Sequence, residues 1–345
     1  MDFEQENQIT GSIPENQQSG RQLENKPKKR GFWKILWGIF TGLSVLANVL
    51  LFFMLVAIIA AFATRRQGDF FTEEVIQAGT RTNKIAVINL DGFIDSQKAK
   101  DIAHQIKTAS RDNSVKGLIL RVYSPGGMVS SSDQIYREIL RYREREGKPV
   151  VAFMQGVGAS GAYYASVACN EIMAEPTTIT GSIGVIANYF VFQQLLEEKL
   201  GIQPVVVKSG EKKDWPSAFR PPSDEQKQYL MDKLIKPVYE RFVKIIADGR
   251  NALTLDQVKK LADGSIYNAI EALDKHLIDN IGYIEDAIDA VCALADIKKP
   301  HVIEYKKPFS LSQFLTSTSK TNLKVDKKTL YEFGTPELLY LWNGN

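Results

Sequence analysis

From Ile35 to Ala63 the chain runs 29 residues without a charged side chain. Coiled as a helix at ~1.5 Å per residue, that stretch reaches about 43 Å and exceeds the ~30 Å hydrocarbon core of a bilayer, so it predicts a membrane span. Ala61-Phe62-Ala63 resembles the small-x-small cleavage site of a secretory signal. A signal's apolar region is only about 7 to 15 residues, however, so an uncleaved anchor is expected. Arg21, Lys26, Lys28, Lys29, Arg30 and Lys34 precede the span, while the nearest cations after it are Arg65, Arg66 and Arg81. That bias keeps the amino end in the cytoplasm and sends everything after residue 65 outward.

The remainder of the 345 residues must fold outside the bilayer, and 44% hydrophobic residues suffice for a core. A net charge of +3, with acidic residues spread among the basic ones, offers no basic face to nucleic acid. Cys169 and Cys292 lie far apart and fit neither a disulfide framework nor a metal spacing, so both read as core residues. His104, His276 and His301 are the only histidines, which leaves few candidates for a histidine base or metal site. No cofactor is implied.

Composition divides the chain into a polar tail (1–31), the anchor (32–64), a linker (65–83), an α/β domain (84–297) and an extended tail (298–345) that closes on Leu338-Leu339-Tyr340-Leu341-Trp342. Strands are expected at Ile85–Leu90, Gly117–Val122, Val150–Met154, Glu171–Ala174 and Pro204–Val207, being short β-branched runs closed by turn formers. Helices are expected at Lys98–Ala109, Ser131–Arg145, Phe192–Leu200 and Glu225–Ala247 from their amphipathic spacing. There is no internal repeat.

Two glycine-lined turns follow strands. Ser124-Pro125-Gly126-Gly127 leads into Ser130-Ser131-Ser132-Asp133, where the serines read as helix caps. Its paired glycines either make a simple turn or let a substrate carbonyl approach bare amides, as an oxyanion hole requires. Gly158-Ala159-Ser160-Gly161-Ala162-Tyr163-Tyr164 is the second. Ser160 is either an N-cap or a nucleophile projected from a strand-to-helix turn, with the Gly161 amide placed for a developing oxyanion. Two such turns on one sheet favour the nucleophile. No histidine stands near either turn, whereas a lysine serves as base when burial lowers its pKa. The segment Lys208-Ser209-Gly210-Glu211-Lys212-Lys213-Asp214-Trp215-Pro216 supplies lysines, and would otherwise be a solvated loop.

Taken in this order, these residues resemble the signal peptide peptidase A family of membrane-anchored serine peptidases over roughly Lys84 to Ala295. The family's serine segment is similar to Ala159–Tyr164, its Ser-Pro-Gly-Gly turn to 124–127, and its Thr-Gly-Ser-x-Gly-Val segment to Thr180–Val185. The resemblance implies a fold shared with Clp peptidase subunits and crotonases, with Ser160 as nucleophile and a catalytic lysine in a Lys-Asp pair. That pair selects Lys213 before Asp214, with Lys212 the neighbouring register. It further implies that Ser182 helps hold the lysine amine and that Gly127 and Gly161 form the oxyanion hole. The chain departs from the family pattern at Tyr123, Ala162, Ser265 and Asn268. The implied substrates are signal-peptide remnants and other hydrophobic membrane peptides with small or apolar side chains at the cleavage point. The implied setting is a bacterial cytoplasmic membrane, with the catalytic domain outside. Because the fold occurs once it should need neighbours, and the resemblance to shorter family members implies a cyclic homo-oligomer with sites shared between subunits. A crotonase acting on acyl-CoA and an inactive membrane scaffold are the competing readings.

Overall fold

The computed structural model describes residues 30–64, 71–307 and 337–344. The chain divides into two units, Met1–Gly68 and Asp69–Asn345. In the first, α1 (Arg30–Thr64) is a single helix with no buried side chain over Gly31–Ile58, long and apolar enough to cross a membrane. The expected polar tail, residues 1–31, lies almost wholly outside the described residues.

In the second unit, β1 (Thr72–Gln77) and β2 (Thr80–Asp91) lead to α2 (Ser96–Arg111), which Asp95 caps by accepting the Lys98 N–H. Then come β3 (Val115–Ser124), the short β4 (Gly126–Met128) and α3 (Val129–Glu146), which ends on Gly147 in the left-handed region at φ 62°. β5 (Val150–Ala159) runs into α4 (Gly161–Ser166), followed by β6 (Glu171–Ala174), β7 (Ile179–Gly181) and β8 (Ile186–Asn188). α5 (Asp224–Leu230), a π-helical turn and α6 (Lys236–Gly249) form the expected long helix, interrupted by the extra residue of the π turn. The chain continues through α7 (Leu255–Leu261), β9 (Ile266–Asn268), α8 (Ala269–Asp274), β10 (Asn280–Ile281) and α9 (Ile284–Ala295) to β11 (Pro300–Lys306) and finally β12 (Glu337–Leu341).

The main sheet is ordered β1-β11-β2-β3-β5-β6-β10, parallel throughout except that β1 runs antiparallel on its edge. Both faces are covered, which is why the central strands read as unbroken apolar runs. Ile88, Leu120, Ala152 and Met154 face the core shared with α2 and α3, while Ile85, Ile119, Val151 and Phe153 meet Ala287, Ile288 and Val291 of α9. This is the α/β fold of Clp peptidases and crotonases that the sequence implies. β11 enters the sheet between β1 and β2, so residues expected as linker and tail supply two of its strands.

Two local expectations fail. Pro204–Val207 is not a strand; Val205 and Val207 are 87% and 96% exposed, and no ladder partner reaches them among the described residues. Phe192–Leu200, by contrast, is helical from Gln193 to Leu200, with a π-helical turn at Leu195–Lys199. Ser130–Ser132 do not cap α3, because the helix begins earlier: its N-cap is Met128, and Ser132 turns back to donate to the Met128 carbonyl at 3.0 Å.

Candidate active site

β5 builds the site by splitting its partners. Its first half pairs with β6 through Val151–Met154, and its last residues pair with β7, Ala159 opposite Gly181. The strand therefore delivers Ser160 at the point where the sheet forks. Ser160 takes φ 53° and ψ −114°, a conformation that costs a residue bearing a Cβ about 1 to 3 kcal/mol. It caps α4 in position only, without a side-chain cap bond. Its hydroxyl is buried with no hydrogen-bond partner among the described residues. The N-cap alternative thus loses its physical basis, since a capping serine spends its oxygen on the helix.

Small neighbours are obligatory here. A Cβ on Gly161 would stand 2.4 Å from Ser132 Oγ, and one on Gly126, where φ is 101°, would stand 2.8 Å from the Gly161 nitrogen. The two glycine turns therefore touch. Ser124 locks the first of them, donating its hydroxyl to the Gly92 carbonyl at 2.6 Å and accepting the Gly126 N–H at 3.1 Å. The Gly126 N–H is committed there, and both Gly126 and Gly127 stand opposite β12 in the ladder.

Ser182 adjoins Ser160 through β7. Gly181 at φ 88° and Ser182 at φ 50° form a tight turn whose Ser182 N–H donates to the Ser265 carbonyl at 2.7 Å. That bond uses backbone only, so the departure at Ser265 is indifferent to it. Asn268, another departure, caps α8 by accepting the Glu271 N–H at 2.9 Å.

Lys213 lies elsewhere, exposed on a 3-10 turn, Glu211–Asp214. Asp214 anchors the turn through Lys208 at 2.9 Å and Arg220 at 2.7 Å; the Lys208 hydrogen bond, with Arg220, holds its carboxyl below the usual range. The Lys212 ammonium is engaged over the rings of Trp215 at 5.2 Å and Tyr229 at 4.9 Å. Among the described residues the Lys213 amine makes no hydrogen bond or ion pair, and none joins it to Ser160 or Ser182 within one chain. Ser160, Ser182, Gly127 and Gly161 are thus brought together, while Lys213 is not.

Sequence reasoning did not reach the floor of the site. Tyr164 is buried, and burial first, then its hydrogen bond to Asp133 at 2.6 Å, pushes its phenol well above the ordinary value. Asp133 is in turn paired with Arg241. The signal lay in the doubled Tyr163-Tyr164 after a small-residue run. The groove between β4 and β8 holds β12, whose apolar Leu338–Trp342 run was visible but had no stated destination.

Residues 142–298 match the model of peptidase family S49, and residues 72–178 match that of the Clp proteases. The chain is 35% identical over 246 residues to a candidate signal peptide peptidase SppA of Enterococcus faecium, covering 68% of this chain and 70% of that one. It is 38% identical over 233 residues to a candidate protease of Methanocaldococcus jannaschii, covering 65% and 73%. A chloroplastic serine protease SPPA of Arabidopsis thaliana is 30% identical over 260 residues, covering 71% of this chain and 38% of that protein.

Proposed function

The chain belongs to peptidase family S49 and is a serine protease; from that premise we propose that Ser160 is its nucleophile and Lys213 of a neighbouring copy is its general base. Ser160 attacks a peptide carbonyl, the uncharged Lys213 amine takes the hydroxyl proton, and Ser182 helps hold that amine. The N–H groups of Gly127 and Gly161 receive the oxyanion, and the proton passes to the leaving amine as the acyl-enzyme forms. Water then hydrolyses the ester.

The observation that carries this reading is the strained backbone of Ser160 together with its buried, unpartnered hydroxyl, a costly arrangement for a residue with only a structural role. The shared site is supported by the exposure of Lys213 and by the apolar surface around it: Leu200, Ile202, Val205 and Val207 are all exposed beside the lysine loop. A cyclic homo-oligomer would cover them. α1 anchors the protein in a bacterial cytoplasmic membrane with its amino end inside, and so brings the domain to signal-peptide remnants and other hydrophobic peptides. The test is labelling with a fluorophosphonate followed by peptide mapping. Adduct on Ser160, absent from Ser160→Ala, supports the reading; an active protease labelled elsewhere sinks it.

A further inference from the structure

We propose that Tyr164, Asp133 and Arg241 are positioning residues for the oxyanion hole, and that the bond from Tyr164 to Asp133 sets the spacing of its two backbone donors. The proposal rests on Ser160 being the nucleophile and on Gly127 and Gly161 receiving the oxyanion.

The two donors stand at the entrances of different helices. Gly127 comes directly before Met128, the N-cap of α3, and Gly161 is the first residue of α4. Neither N-cap, Met128 or Ser160, makes a side-chain bond into its helix. Each turn is instead anchored to a different neighbour. Ile94 holds the first, donating to the Gly126 carbonyl at 2.9 Å and accepting the Met128 N–H at 2.8 Å, while Gly181 holds the second by accepting the Ser160 N–H. α4 is six residues long, too short to keep its own direction. The distance between the donors therefore depends on what ties α4 to α3.

One tie lies close to the donors. Tyr164, one turn into α4, gives its N–H to the Ser160 carbonyl at 2.8 Å and its hydroxyl to Asp133 Oδ1 of α3 at 2.6 Å. A second lies at the far end, where Arg143 donates to the carbonyls of Ala168 and Cys169, beyond α4. Arg241 of α6 fixes the Asp133 side chain, donating to the same Oδ1 from Nε at 3.2 Å and from Nη2 at 2.5 Å. Three helices thus meet on one carboxylate oxygen. Tyr136 of α3 and Phe242 of α6 meet the Tyr164 ring edge-on at 5.3 and 5.0 Å. Loss of the Tyr164 hydroxyl alone would keep these ring contacts and remove only the bond.

The chemistry makes the spacing matter. An oxyanion hole acts on the oxygen of the tetrahedral state, and removing one of its donors typically costs roughly 100- to 1000-fold in rate. The ground-state carbonyl makes less use of the donors, so a misplaced donor lowers kcat and leaves KM nearly unchanged. In folding the same residues count for less. The Arg241 and Asp133 side chains are 55% and 37% exposed, and ion pairs so exposed contribute little to stability. The larger effect is therefore expected on turnover.

The experiment uses the full chain in detergent and a peptide aldehyde, whose carbonyl adds the Ser160 hydroxyl to give a hemiacetal with its oxygen in the hole. Tyr164→Phe is expected to lower kcat about tenfold and to weaken the aldehyde about tenfold, with KM within about twofold of the wild type and a melting temperature within about 5 °C. Asp133→Ala should match it, and Asp133→Asn, which keeps an acceptor oxygen, should retain about half of the wild-type kcat. Because each single variant breaks the same bond, Tyr164→Phe/Asp133→Ala should be no slower than Asp133→Ala. If Tyr164→Phe and Asp133→Ala turn over at the wild-type rate, or raise KM and spare kcat, the network serves the fold alone. Losses that multiply in the double variant also overturn the proposal. Should Tyr164→Phe fail to fold, the variants at Asp133 and Arg241→Ala, expected to be about threefold slower than wild type, decide the matter. An aldehyde that forms its adduct on Ser160 and binds every variant alike overturns this inference only. An aldehyde that inhibits the protease without an adduct on Ser160 overturns the nucleophile as well.

Discussion

The backbone N–H of Ser160 donates to the Gly181 carbonyl at 2.8 Å. This bond ends the β5–β7 ladder, and it couples the nucleophile's turn to the turn that carries Ser182. Position along β7 therefore sets the direction of the Ser160 hydroxyl, and the strain at Ser160 is held by sheet pairing on one side and α4 on the other.

That strain has a stability signature. Ser160→Ala keeps a Cβ at φ 53° but removes the buried, unpartnered hydroxyl, and should be more stable than the wild type by about 1 kcal/mol. Ser160→Gly removes the Cβ and should be more stable than Ser160→Ala by up to about 1 kcal/mol, with part of the strain relief offset by glycine's entropy when unfolded. Both should lose turnover. Urea titration of the two variants checks this, and equal midpoints would mean that the backbone at Ser160 is unstrained.

The lysine loop separates its two lysines by environment. Lys213→Ala is expected to reduce acylation by several orders of magnitude with an unchanged melting temperature. Lys212→Ala removes the contacts over Trp215 and Tyr229, costing about 0.5 to 1 kcal/mol while leaving measurable activity. A dead Lys212→Ala beside an active Lys213→Ala would shift the base by one residue.

Sharing of the site between copies is tested by complementation. Inactive Ser160→Ala and inactive Lys213→Ala, mixed under subunit exchange, should regain activity wherever an intact serine meets an intact lysine. Mixed oligomers without recovered activity would place both groups in one chain.

Acid sensitivity should centre on Glu304, in β11 between β1 and β2. Burial alone would raise its pKa, but hydrogen bonding to Lys306, the charge of Arg121 and the Asn89 amide outweigh burial and hold it below the ordinary 4.5. A carboxyl whose folded pKa is depressed stabilises the fold above its unfolded pKa, and this contribution is lost as pH falls through the folded value. The melting temperature of the wild type should therefore fall below about pH 4.5, whereas Glu304→Gln should start lower and fall less steeply over the same range. Parallel curves would show that Glu304 does not titrate on unfolding.

Features that depend on neighbours along the chain were legible in the residues alone. An uncharged run at Ile35–Ala63 is a helix long enough to cross a membrane because no other structure satisfies its backbone in hydrocarbon. The apolar runs at Ile85, Gly117 and Val150 became parallel strands because both faces of the sheet are covered, and the glycine-lined turns around Gly126 and Ser160 could be read because glycine marks close backbone approach. Features that depend on residues far apart emerged only with the assembled fold. That Pro204–Val207 stays unpaired, that Pro300–Lys306 inserts between β1 and β2, and that Leu339–Leu341 lies against Gly126 and Gly127 all follow from which edges remain open once the sheet is assembled. A strand's pattern records its own two faces. It carries no record of the partner edge, which exists only when the rest of the chain has folded.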